Sequence, residues 1–133
     1  MGITTKLAHD FYQIQTLSEK DKDQLRTLIV DYFAATFAGY KQNRAFNQAV
    51  EKVVYVQGGA EDSCVFLQDR KYPPGKAAFM NAVYGHGAEL DDGNKKAAGH
   101  AGVHLIPAVF ALADQLKSTE DDVLTALATG YEA

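Results

Sequence analysis

Leu25, Leu28, Ile29, Tyr32, Phe33, Thr36, Phe37 and Tyr40 recur at spacings of three and four residues. At 3.6 residues per turn this pattern draws one continuous apolar stripe, and it predicts a helix from about Lys20 to Ala38. Ser18, followed three residues later by Asp21, is a capping-box variant that opens such a helix, and Gly39 is placed to close it. A stripe this long commits the chain to a fold in which other elements cover it. With 133 residues the chain can do so, since a domain of this size buries roughly two thirds of the surface its unfolded form exposes.

The remaining periodicities supply the cover. Leu7, Phe11 and Ile14 mark a shorter helix ahead of the stripe, and Phe46, Ala49, Val50 and Val53 a third helix ended by Gly58-Gly59. Ser63 to Leu67 is rich in strand formers and the turn-like Gln68-Asp69-Arg70-Lys71 follows, so a short β-hairpin is expected near 63–72. Pro73-Pro74 then starts a helix whose apolar face includes Ala77, Met80, Val83 and Tyr84. Asp91 to Gly102 reads as a loop. Beyond it, Leu105, Val109, Leu112 and Leu116 mark a helix with Pro107 in its first turns, and Ser118 with Asp121 caps a last helix through Val123, Leu124, Leu127 and Tyr131. The expected class is mainly α, a multihelical bundle with one short hairpin. The last helix shows neither a basic final turn nor a proline, and a cap at Gly130 leaves Tyr131 and Glu132 without an evident role. On that pattern the chain reads as cut.

Charge and cysteine content narrow the function. Thirteen basic against 17 acidic residues give a net charge of −4, and the basic residues form no run longer than a pair, which argues against nucleic acid and against an anionic membrane face. Cys64 is the only cysteine, so no internal disulfide can form and a reducing compartment is the natural reading. Lys6, His9 and Asp10 interrupt the apolar core a signal peptide needs, and the longest mostly apolar run, Ala101 to Ala113, is well short of the ~20 residues of a membrane span. A cytoplasmic protein without membrane contact is expected.

The chemistry is concentrated between His86 and His100. Glu89, Asp91 and Asp92 lie between these two imidazoles, interleaved with Gly85, Gly87, Gly93 and Gly99, which keep the neighbouring space open. If residues 84–90 are helical, His86 and Glu89 share a face and the acid can fix the imidazole's tautomer; Glu89 and Asp92 share a face by the same spacing. Carboxylates brought this close favour protonation of one of them, the condition for general acid or base work. A divalent cation held by Glu89, Asp91, Asp92 and His100 would relieve the same repulsion, although neither an EF-hand loop nor a His-x-x-x-His pair is present. Lys95 and Lys96 in the same loop are placed to hold anionic substrate groups.

The order of a helix, His86-x-x-Glu89-x-Asp91-Asp92, a loop, then Gly99-His100-x-Gly102 and Ile106-Pro107-Ala108 resembles the MmgE/PrpD family, which includes 2-methylcitrate dehydratase, cis-aconitate decarboxylase and iminodisuccinate epimerase. Ile29 to Gly39 is similar to the family's early helix with its Asp and closing Ala-Gly, and Leu67 to Asn81 to its hairpin, proline and Asn-containing helix. The resemblance spans nearly the whole chain. It implies an enzyme without metal or organic cofactor that removes a proton next to a carboxylate in a small di- or tricarboxylate, with Glu89 at the position of the family's first active-site acid and His100 at that of its histidine. Two departures stand out. Gly93 replaces the threonine of the common Asp-aromatic-Asp-Asp-Thr motif, and the loop before His100 is one residue longer than in the decarboxylase, both of which argue against decarboxylation of cis-aconitate.

The resemblance further implies that family members are longer, with other catalytic groups supplied by later parts of the helical domain and by an inserted α+β domain. The expectation is therefore the N-terminal portion of a lyase or isomerase, residues 1–133, with Glu89, Asp92 and His100 in acid–base roles, His86, Asp91 and Lys95 binding the substrate, no metal, and a homo-oligomeric assembly. The rival readings are a non-catalytic helical fragment or assembly module and a small metal-binding helical protein.

Overall fold

A computed structural model describes residues 2–14, 16–96 and 98–133. Residue 97, in the expected loop, lies outside the described residues. Six helices and one small hairpin follow in the order α1 (Ile3–Tyr12), α2 (Glu19–Gln42), α3 (Arg44–Val56), β1 (Ser63–Cys64), β2 (Lys71–Tyr72), α4 (Pro74–His86), α5 (Ala101–Leu116) and α6 (Glu120–Glu132). The strands are antiparallel, with Ser63 opposite Tyr72 and Cys64 opposite Lys71. The chain is mainly α with a short hairpin, as the periodicities predict.

The stripe on α2 is covered unevenly. Leu25 and Tyr32 are buried, Leu28 and Ile29 pack at the edge of the core, and Phe37 is 54% exposed beneath the Lys41 ammonium. Phe33 lies at the rim, its ring 4.7 Å from that of Phe66 and 5.8 Å from that of Phe110. The deeply buried side is instead Tyr32, Ala35, Thr36 and Gly39, the last three small enough to let α4 come close. Gly39 therefore does not end the helix. A Cβ there would lie 2.1 Å from the Tyr84 carbonyl oxygen, so its hydrogen serves packing. Gly85 plays the same part in reverse, because a Cβ there would lie 2.3 Å from the Tyr32 hydroxyl.

Helix α4 is the central element, packed between α2 and α5. Ala77, Met80 and Tyr84 bury its expected face against Val54, Val65 and Tyr72. On the far side, Val103 and Ile106 of α5 meet Leu124 and Leu127 of α6 and Leu25 and Tyr32 of α2. Three buried side chains bond to the backbone: Asn81 donates to the Cys64 carbonyl and accepts from the Phe66 N–H, Ser63 donates to the Ala111 carbonyl, and the Tyr32 hydroxyl donates to the Asn81 carbonyl. These bonds tie the hairpin to α4 and α5.

Three expectations need correction. On α5 the buried face is Val103, Ile106, Pro107 and Ala111, whereas Leu112 and Leu116 are exposed, because α4 and α6 approach from the side of the small residues. The last capping box is Thr119 with Asp122, one residue beyond the expected pair, and Asp121 is thereby free to take the Lys22 ammonium of α2 at 2.6 Å. Helix α6 also runs through Gly130, which packs against Leu105, and Tyr131 acquires a role in the site.

Candidate active site

The candidate site forms where the C-terminus of α4 faces the N-terminus of α5. Helix α4 stops at His86 rather than continuing to Leu90; Gly87 follows it, and Glu89 turns the chain in the left-handed region at φ 51°. The three-residue spacing of His86 and Glu89 therefore does not put them on one helical face. The Asn43 side-chain amide donates to the Gly87 carbonyl, which secures the turn to α2. His86 sits in the last turn of its helix, and His100 occupies the N-cap position of α5.

Between them lies Asp91. Its side chain is fully buried, with 0% exposure, while the imidazoles of His86 and His100 are 46% and 41% exposed. His86 Nδ1 is 3.0 Å from Asp91 Oδ1 and 3.3 Å from Oδ2. His100 Nδ1 is 3.2 Å from Oδ2 but lies off the line of a hydrogen bond, and this buried nitrogen has no hydrogen-bond partner among the described residues. The two rings meet edge to face, 4.9 Å between centroids. A buried carboxylate is costly unless it is paired, so the two imidazoles and the acid form one electrostatic unit.

Asp92 points elsewhere. Its Oδ1 accepts the Gly102 backbone N–H at 2.8 Å and its Oδ2 accepts the Tyr131 hydroxyl at 3.0 Å. It thus satisfies one of the free N–H groups of α5 and pins that helix to the end of α6. Burial and the neighbouring Asp92 carboxylate hold the Tyr131 phenol well above its ordinary range, so it donates throughout the physiological range. A Cβ at Gly102 would lie 2.8 Å from Asp92 Oδ1, so the glycine lets the carboxylate close on its N–H.

Of the residues singled out in the sequence, the structure thus brings together His86, Asp91 and His100, with Asp92 one layer behind. Glu89 is exposed on the adjoining turn, and Lys95 and Lys96 are exposed on a loop closed by the pairing of Asn94 with Gly99. Sequence reasoning missed Tyr131. The signal for it was its place one turn beyond Leu127, a tyrosine at the end of an otherwise apolar face. A pocket of about 400 Å³ opens beside the imidazoles, lined by Phe79, Ala82, Val83, His86, Gly99, His100, Val103 and His104. Its walls are apolar and its polar groups are imidazoles, the general make-up of a small-molecule site.

No helix among the described residues is long and apolar enough to cross a membrane. No curated protein and no solved structure matches the chain. The sequence profile described as MmgE/PrpD N-terminal domain matches residues 6–133, and the chain belongs to that family.

Proposed function

We propose that this chain carries part of the acid–base site of a cofactor-independent lyase or isomerase that acts on small di- or tricarboxylates by removing a proton next to a carboxylate. The observation that carries this reading is the buried Asp91 carboxylate between two half-exposed imidazoles at the mouth of an apolar pocket. An imidazole whose Nδ1 faces a carboxylate holds its proton there and presents Nε2 as a base; the acid fixes the tautomer and stabilises the imidazolium formed when the base takes up a proton. His86 has that hydrogen-bond geometry and His100 sits on the other side of the same acid. One imidazole then removes the proton while the other meets the negative charge that develops on the substrate, and the N-terminus of α5 adds its partial positive charge.

On this reading Asp91 orients the imidazoles, Asp92 braces α5, and Glu89, on the turn that follows α4, is a second acid–base group. Lys95 reaches the substrate's distant carboxylate from its exposed loop. Family membership supports a dehydratase-like reaction. The chain is read as the N-terminal portion of the family's helical domain, in a cytoplasmic homo-oligomer. Exposed Phe46, Val53, Val56, Leu112 and Leu116 support further helices or a second copy covering these faces.

The test is binding and exchange in the presence of a chelator. Citrate-like tricarboxylates titrated into the chain should shift the ring signals of His86 and His100 together, and His100→Gln should abolish the slow solvent exchange of the substrate's α-proton in D2O. Ring signals indifferent to every di- and tricarboxylate tried, with exchange at the buffer rate, would sink the proposal.

A further inference from the structure

The geometry points to a second capacity of the same cluster: His86, Asp91 and His100 form a three-ligand site for a borderline divalent metal ion of the zinc type. One ligand atom from each residue can be chosen so that all three lie within 4.8 Å of one another. Asp91 Oδ2 is common to both sides, 3.3 Å from His86 Nδ1 and 3.2 Å from His100 Nδ1. In a tetrahedral zinc centre, with metal–ligand bonds of about 2.0–2.2 Å, neighbouring ligand atoms are separated by about 3.3–3.5 Å. Both carboxylate-to-imidazole edges already have nearly that length. Only the edge between the two nitrogens needs to shorten, a movement open to side chains that are 46% and 41% exposed.

The second, independent observation is the state of His100 Nδ1. A hydrogen bond would point this buried nitrogen along the line to Oδ2, yet it lies off that line and has no hydrogen-bond partner among the described residues. A metal ligand directs its lone pair at the centre of the tetrahedron, off the edge that joins it to the next ligand. A buried nitrogen that makes no hydrogen bond, 3.2 Å from a carboxylate oxygen, keeps its lone pair available to a metal ion. The other acids do not join: Asp92 is committed to Gly102 and Tyr131, and Glu89 is exposed on the turn. Two imidazoles and one carboxylate select zinc, cobalt or nickel over magnesium and calcium, which require more oxygen ligands. Because the metal would occupy the nitrogens that Asp91 orients, its binding competes with acid–base use of the same rings. The metal-site inference does not depend on the substrate class.

Zn²⁺ alone, titrated into the full chain at neutral pH, tests this. One saturable site is expected by calorimetry, with the ring signals of His86 and His100 shifting together, His9 and His104 unmoved, and protons released in proportion to the protonated fraction of the rings. His100→Gln and His86→Gln, each checked for helical content by circular dichroism, should each weaken binding at least tenfold, and excess Mg²⁺ or Ca²⁺ should not displace the zinc. Absence of saturable binding, shifts confined to His9 and His104, or affinity unchanged in both variants would overturn the inference. Because carboxylate binding is measured with chelator present, failure of the metal site leaves that experiment to be decided separately, and the reverse also holds.

Discussion

The Tyr131 hydroxyl donates a 3.0 Å hydrogen bond to Oδ2 of Asp92, joining the end of α6 to the turn that precedes α5. Asp92 in turn accepts the Gly102 N–H, so one carboxylate holds both the start of α5 and its distance from α6. His100 lies two residues before Gly102. The backbone beside His100 is therefore braced by a residue of the last helix.

Tyr131→Phe removes that donor and leaves a partly buried carboxylate short of one partner, a loss of about 1–2 kcal/mol in urea unfolding. Amide exchange at Ala101, Gly102 and Val103 should accelerate, because the first turn of α5 loses its brace. Unchanged exchange there would show that Gly102 alone holds Asp92.

The close approach of α2 and α4 rests on hydrogen atoms in place of methyl groups. Gly39→Ala puts a Cβ 2.1 Å from the Tyr84 carbonyl oxygen, a backbone atom that cannot step aside without moving α4. Destabilisation of about 3 kcal/mol or more is expected, at the upper end for overpacking. Gly75, in the same α4, faces open space, so Gly75→Ala should stabilise by about 0.5–1 kcal/mol through helix propensity. The two variants measured together by urea denaturation separate packing from propensity. Equal effects would remove the packing argument.

This contrast marks what the sequence made legible. Apolar periodicity located the six helices and the hairpin, because burial of a stripe is a local pattern. It gave the wrong closure for α2 because a glycine that ends a helix and one that admits a neighbouring helix look alike until the neighbour is placed. The same limit applied to the site. The cluster from His86 to His100 was visible as a set of chemically capable residues, but which acid met the imidazoles depended on where α4 ended. Helical spacing pointed to Glu89; the turn at residues 87–90 carried Asp91 inward instead. Tyr131 was legible only as an apolar-face residue, since its partner lies 39 positions away.

Acid sensitivity should centre on Asp114. The Cys64 thiol, then the Lys71 ammonium and the Cys64 backbone N–H, hold its carboxyl far below the ordinary carboxylate range. A group depressed in the folded state adds stability that is fully present above its unfolded value of 3.8 and is lost as pH falls towards its folded value. The side chain is 27% exposed, and solvent screening limits the contribution to about 1 kcal/mol. Stability measured from pH 6 down to pH 2 should fall below about pH 4, and Asp114→Asn should make that decline shallower while lowering the plateau at neutral pH. A decline as steep in the variant as in the parent would assign it to other carboxylates, with Asp21 and Asp122 of the two capping boxes, both held low by hydrogen bonds to their cap residues, next in line.

Glu89 occupies the left-handed region at φ 51°, where a side chain costs about 1 kcal/mol relative to glycine. It is exposed, so the chain gains little packing from it in return. Glu89→Gly should therefore raise stability by about 0.5–1 kcal/mol, and Glu89→Gln, which keeps the strain and removes the charge, should stay within about 0.5 kcal/mol of the parent. Urea midpoints of the two variants give the answer. A loss of stability in Glu89→Gly would mean that the carboxylate holds the turn in place, and the case for reserving it to acid–base chemistry would fail with it.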